Sequence, residues 1–196
     1  MKRILYVMPQ ISFNLMGGAE IQAIKTLEYI NKNNQDYEVK LFNMWKDKIE
    51  NFDAIHLFGP GSFPSESQSI AQHGKRKNIK IFTSPIFYLS TQEFFGYKNR
   101  ILMRALWNAY LNLHRGMRII GPMRFWDQFR SMEEILRMSD CILPNTKAES
   151  DFLMNFFNLK PERFKIIPNG VDTSFKYGNA SYFEERYGIE DFILFV

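Results

Sequence analysis

A repeated alternation of short apolar strand segments with segments of helical period is what most limits the folds open to this chain. Ile4, Leu5, Tyr6, Val7 and Met8 are apolar without interruption. Such a run suits a strand buried on both faces, as in the middle of a parallel sheet. A loop and the pair Gly17-Gly18 follow. From Ala19 the pattern turns helical: Ala23, Ile24, Leu27 and Ile30 share a face, with Gln22, Lys25 and Glu28 elsewhere. Further strands are predicted over residues 39–43, 53–58, 79–83, 141–143 and 165–167. Helices are predicted over residues 65–75, 97–116 and 124–138, and again from Lys147. Thr146-Lys147-Ala148-Glu149 has the form of a capping box, which places that last start. Residues 182–187 form a short helix and residues 192–196 an apolar, strand-like run. Alternation of this kind predicts an α/β doubly wound parallel sheet, Rossmann-like, with helices on both faces.

Composition narrows the class. Hydrophobic residues make up 45% of the 196 and charged residues 23%, an ordinary globular balance. A single cysteine, Cys141, excludes an internal disulfide and reads as a buried, inert thiol, so a reducing cytoplasm is the expected location. Lys2 and Arg3 precede an apolar run of only five residues, short of the roughly 7–15 of a secretory signal. No run approaches the ~18 apolar residues of a membrane-spanning helix.

Ligands of parallel α/β sheets bind where loops leave the carboxyl ends of strands. Gly17-Gly18 stands at such a place. Glycines let a backbone approach a phosphate closely, and the helix start behind them offers free N–H groups and a positive dipole end. The alternative is a loop that needs positive φ at the pair. Two common nucleotide motifs are absent. There is no G-x-G-x-x-G, and the predicted second strand ends in Phe42-Asn43-Met44, without the acid that would hold an NAD ribose. There is no G-x-x-x-x-G-K-[ST] either.

Three blocks carry a resemblance. Gly17-Gly18-Ala19-Glu20 opens a helix after the first strand and a long loop. Residues 139–149, S-D-C-I-L-P-N-T-K-A-E, form a strand-and-helix block. Residues 165–172, K-I-I-P-N-G-V-D, form a third. In order and spacing the chain resembles the N-terminal domain of family 4 glycosyltransferases with the GT-B fold, with Thr146 where that family usually has Ser. The resemblance implies two Rossmann-like domains facing across a cleft. Residues 1–180 would be the acceptor-side domain. Residues 181–196 would be a linker and the first strand of a C-terminal nucleotide-sugar domain that the sequence does not contain. It implies transfer of a sugar, with retention, from a nucleotide-sugar to a glycan or lipid-linked acceptor, as in polysaccharide biosynthesis. The nucleotide-sugar is a substrate; no cofactor and no metal are implied. This chain alone is expected to be inactive.

By the same resemblance Gly17 and Gly18 would face the donor diphosphate. Ser84, Pro85, Asn169 and Asp172 would line the cleft on the acceptor side. Asn169 and Asp172 also read as ordinary turn residues. Many relatives have a histidine in the loop after strand four; here that stretch is Thr83-Ser84-Pro85-Ile86-Phe87-Tyr88. His56 reads as a packed strand residue. His73 falls near a helix end and His114 within a helix, so no catalytic base is assigned.

Charge adds one more lead. The net charge is +4, but Phe94 to Arg130 holds seven cations against one acid, Asp127, leaving the rest at −2. Aromatic residues interleave there. Arg115, Arg118, Arg124 and Trp126 would form a surface for an anionic membrane, placing the protein peripherally on its cytoplasmic face. A solvated helical hairpin is the plainer reading. No recognised nucleic-acid module accompanies the charge, so nucleic acid is not an expected partner. A second functional class also fits: a non-enzymatic acceptor-binding or membrane-docking subunit paired with a separate donor-binding chain.

Overall fold

A computed structural model of the chain describes residues 1–9, 12, 14, 16–61, 64–87, 109 and 124–189. Five strands form one wholly parallel sheet: β1 (Lys2–Val7), β2 (Tyr37–Leu41), β3 (Ala54–Phe58), β4 (Lys80–Ser84) and β5 (Cys141–Ile142), in the order β2-β1-β3-β4-β5. β1 pairs with β2 through Ile4↔Val39 and with β3 through Tyr6↔His56. β3 meets β4 at His56↔Phe82, and β4 meets β5 at Phe82↔Cys141. The reversal of strand order at β1 is the doubly wound topology that the alternating pattern predicts.

Strand periodicity divides the core between the two faces. Leu5, Val7, Ile55, Leu57 and Ile81 lie on one face with Ile70 and Ala71 of α2 (Pro64–Arg76) and Ile135 of α3 (Arg124–Met138). Tyr6, Met8, Val39 and Phe58 lie on the other, against Ala23, Leu27 and Ile30 of α1 (Gly18–Asn33). A third cluster joins Met132 and Leu136 of α3 to Ile142, and to Leu153 and Phe157 of α4 (Lys147–Phe157). α4 begins at Lys147, and its cap is Thr146, whose hydroxyl accepts from the Glu149 N–H at 3.1 Å. The amino rim is pinned at Asp140. Its carboxylate accepts from the Ile81 N–H at 2.9 Å and from Lys75 at 2.8 Å and Lys80 at 3.2 Å. Desolvation opposes its charge, but these three donors outweigh it and hold the carboxyl below the usual range.

One predicted strand does not form. Residues 165–167 contribute no strand to the sheet; Phe164 makes a single parallel bridge to Ile142. Lys165 N–H donates to Ile142 O and Ile167 N–H to Pro144 O, both at 2.9 Å. The next bond of a parallel ladder would need residue 144 to donate to the carbonyl of residue 165. Proline has no N–H, so the ladder stops. Ile166 and Ile167 stay partly exposed. Helix α5 (Ser181–Tyr187) follows, with none of its residues buried. The helix expected over 97–116 and the run at 192–196 lie outside the described residues.

Candidate functional site

All the strands are parallel, so every loop that follows one opens on a single rim. Gly17 is the N-cap of α1 and its backbone is extended, with φ −122°. The positive φ weighed for the pair is therefore not what places glycine at either position. Gly17 N–H donates to Glu20 Oε2 at 2.8 Å, and Ile21 N–H to Gly17 O at 3.1 Å. The N–H groups between them have no acceptor within the helix, as at every helix start. A Cβ built at Gly17 would come 3.0 Å from the Glu20 carboxylate, whereas one at Gly18 would meet nothing within 4 Å. Neither conformation nor internal packing calls for glycine at 18. Its missing side chain leaves room on the outside of the helix start.

Ser84 ends β4 and is buried, as is Pro85. His56 Nε2 lies 2.9 Å from Ser84 Oγ. The imidazole stacks on Phe58 with centroids 4.0 Å apart and meets the edge of Tyr6 at 5.0 Å. Desolvation lowers its pKa to about 3, so it is neutral at physiological pH. It is the packed strand residue expected from the sequence.

The loop after Ser84 contains a feature no pattern announced. Ile86 has φ +46°, which a β-branched residue rarely adopts. The next residue is anchored: Phe87 N–H donates to Glu149 Oε1 at 2.8 Å. The other oxygen of that carboxylate, Oε2, accepts from Asn145 N–H at 2.7 Å. Glu149 therefore ties the loops after β4 and β5 to the start of α4. The capping-box pattern finds Glu149 but points its side chain at the Thr146 amide, so the double clasp is visible only in three dimensions. Asn145 Oδ1 in turn accepts from Gln22 Nε2 of α1 at 3.4 Å. The rim thus holds α1, the β4 loop and α4 in one hydrogen-bonded frame.

Asn169 and Asp172 stand exposed past Ile167, whose N–H donates to Pro144 O in the loop after β5. Asp172 Oδ1 accepts from Ser174 N–H at 2.9 Å. Its bonds to Ser174 hold the carboxyl below its usual range, against a smaller desolvation effect. The turn reading of Asp172 is thus satisfied. His73 bonds Glu50 Oε1 at 2.9 Å, away from the rim. Cys141 is half-buried rather than fully buried, and burial raises its thiol pKa. Arg124 and Trp126 fall in the first turn of α3; His114, Arg115 and Arg118 lie outside the described residues. Among the described residues no three metal-binding side chains come together, and no helix is long and apolar enough to cross a membrane.

Comparison with known proteins agrees on the fold. The chain resembles the crystal structure of Anabaena HepE in complex with UDP, with a TM-score of 0.50 at 12% identity. The fold is shared. The match covers 96% of this chain and 50% of the HepE chain, so this chain spans half the length of that neighbour. No protein-family model matches the sequence, and no curated protein does.

Proposed function

We propose that this chain is the acceptor-side domain of a glycosyltransferase that moves a sugar from a nucleotide-sugar to a glycan or lipid-linked acceptor. One observation carries the reading: a helix start with unfilled space at Gly18, on the carboxyl rim of a fold that matches half of a UDP-bound protein. The free N–H groups and dipole of α1 are suited to a diphosphate. Asn169 and Asp172 would line the remainder of the cleft, with the buried Ser84 and Pro85 beneath its floor. A second domain would hold most of the donor. The three sequence blocks support family 4 and retention of configuration. The basic stretch holding Arg115, Arg118, Arg124 and Trp126 would dock on an anionic membrane from the cytoplasmic side.

The test uses the product of the complete reading frame with a panel of nucleotide-sugars, reading both label transfer and nucleotide release. Transfer from at least one donor is expected; neither binding nor turnover with any of them would overturn the reading. Gly18→Val is the informative variant, because its Cβ enters open space at the helix start. It should weaken UDP binding by about tenfold or more, roughly 1.4 kcal/mol, with little change in melting temperature. Unchanged UDP affinity would move the donor contact away from α1.

A further inference from the structure

We infer that Trp45 is an aromatic platform on which a ring of the carbohydrate acceptor stacks, an inference that rests on reading this chain as the acceptor side. The indole is 87% exposed, the most exposed large hydrophobic side chain among the described residues. It is also held on a firm base. Trp45 N–H donates to Asn43 Oδ1 at 3.0 Å, Lys46 N–H to Asn43 O at 3.0 Å and Asp47 N–H to Asn43 O at 2.8 Å. Asn43 N–H donates to Asp47 Oδ2 at 2.8 Å, and Lys40 pairs with the other oxygen of Asp47. A turn with this many internal bonds has its backbone ordered before a ligand arrives, which lowers that part of the entropic cost of binding.

Its position suits the role. The turn follows β2, and Phe42 N–H donates to Tyr6 O at 2.8 Å, so it stands beside the end of β1, whose loop leads to Gly17. The proposed diphosphate contact and Trp45 thus belong to neighbouring strand ends on one rim. An indole offers a broad apolar face of negative quadrupole to the weakly positive C–H groups of a sugar ring, and its N–H can donate to a hydroxyl. Lys46 and Lys48 supply further donors close by. Met44 and Trp45 amid Lys46, Asp47 and Lys48 make too small an apolar patch to seat a bilayer, which takes an extended apolar face.

The indole N–H signal of Trp45, assigned by its loss in Trp45→Phe, reports the contact in the ¹⁵N-labelled chain. The probes are maltose, lactose and cellobiose, then UDP, then vesicles of phosphatidylcholine with phosphatidylglycerol. A disaccharide should move the signal saturably while UDP does not, and Trp45→Ala, read on the backbone amide signals of Asn43 to Asp47, should lower that affinity by about tenfold or more with the spectrum otherwise intact. Stacking reads the ring face and not the linkage, so no response to all three sugars overturns the platform. A signal moved instead by UDP or by vesicles overturns it too, in favour of a nucleobase or a lipid surface. UDP shifts at Gly18 are read separately. Their absence alongside a sugar response removes the donor contact and leaves the platform standing.

Discussion

At the scale of single residues, His56 gives the sharpest expectation. Burial lowers its pKa from 6.5 to about 3 in the fold, whereas the unfolded chain restores the ordinary value. Between those limits the unfolded state binds the extra proton, so stability falls as the pH falls. The slope from this one group is at most about 1.4 kcal/mol per pH unit. Urea midpoints measured from pH 6.5 to 4.5 should therefore drop, and His56→Gln should flatten much of that drop. Parallel curves for the two proteins would mean that His56 titrates normally inside the sheet. Its place inside a predicted buried strand marked His56 as packed. The pairing with Ser84 was out of reach of any local pattern, because it joins residues 28 positions apart across two strands.

At the scale of elements, what was legible followed from local chemistry. The five predicted segments became strands because each is short, rich in β-formers and bounded by turn residues, whether largely apolar as in β3 or interrupted by lysine as in β2, and α4 starts where its cap predicts. The expected sixth strand failed for a reason written in the sequence, Pro144, yet readable only once the pairing direction and register are known. The same limit applies to the rim. Glu149 looks like a helix-capping residue, and its work is to hold two loops that meet only in the fold. Glu149→Ala would leave the N–H groups of Phe87 and Asn145 without their acceptor. Each such loss costs about 1–3 kcal/mol when burial keeps water away, and both sites are part-buried. A loss of roughly 2–3 kcal/mol in chemical denaturation is expected. Thr146→Ala, which removes only the cap, should cost about 1 kcal/mol. Equal losses for the two variants would reduce Glu149 to an ordinary cap residue.

At the scale of the whole molecule, the described core is complete without residues 181–189. The three buried clusters draw on β1 to β5 and α1 to α4, and none reaches α5. Within α5 the rings of Phe183 and Tyr187 lie 4.6 Å apart, while Tyr182 and Tyr187 face solvent. None of its residues is buried, so its removal should cost the core almost nothing. Deleting residues 181–196 should change stability by less than about 0.5 kcal/mol, a melting shift of roughly 1–2 °C for a domain of this size. Phe157→Ala is the internal comparison. That ring is fully buried between α3, α4 and Ile142, and its loss should cost about 3–5 kcal/mol. The deletion also removes exposed aromatic surface, so solubility should rise, as read by the concentration at which light scattering begins. A deletion that melts the protein as deeply as Phe157→Ala would show that residues 181–196 belong to this core, and the boundary drawn at residue 180 would have to move.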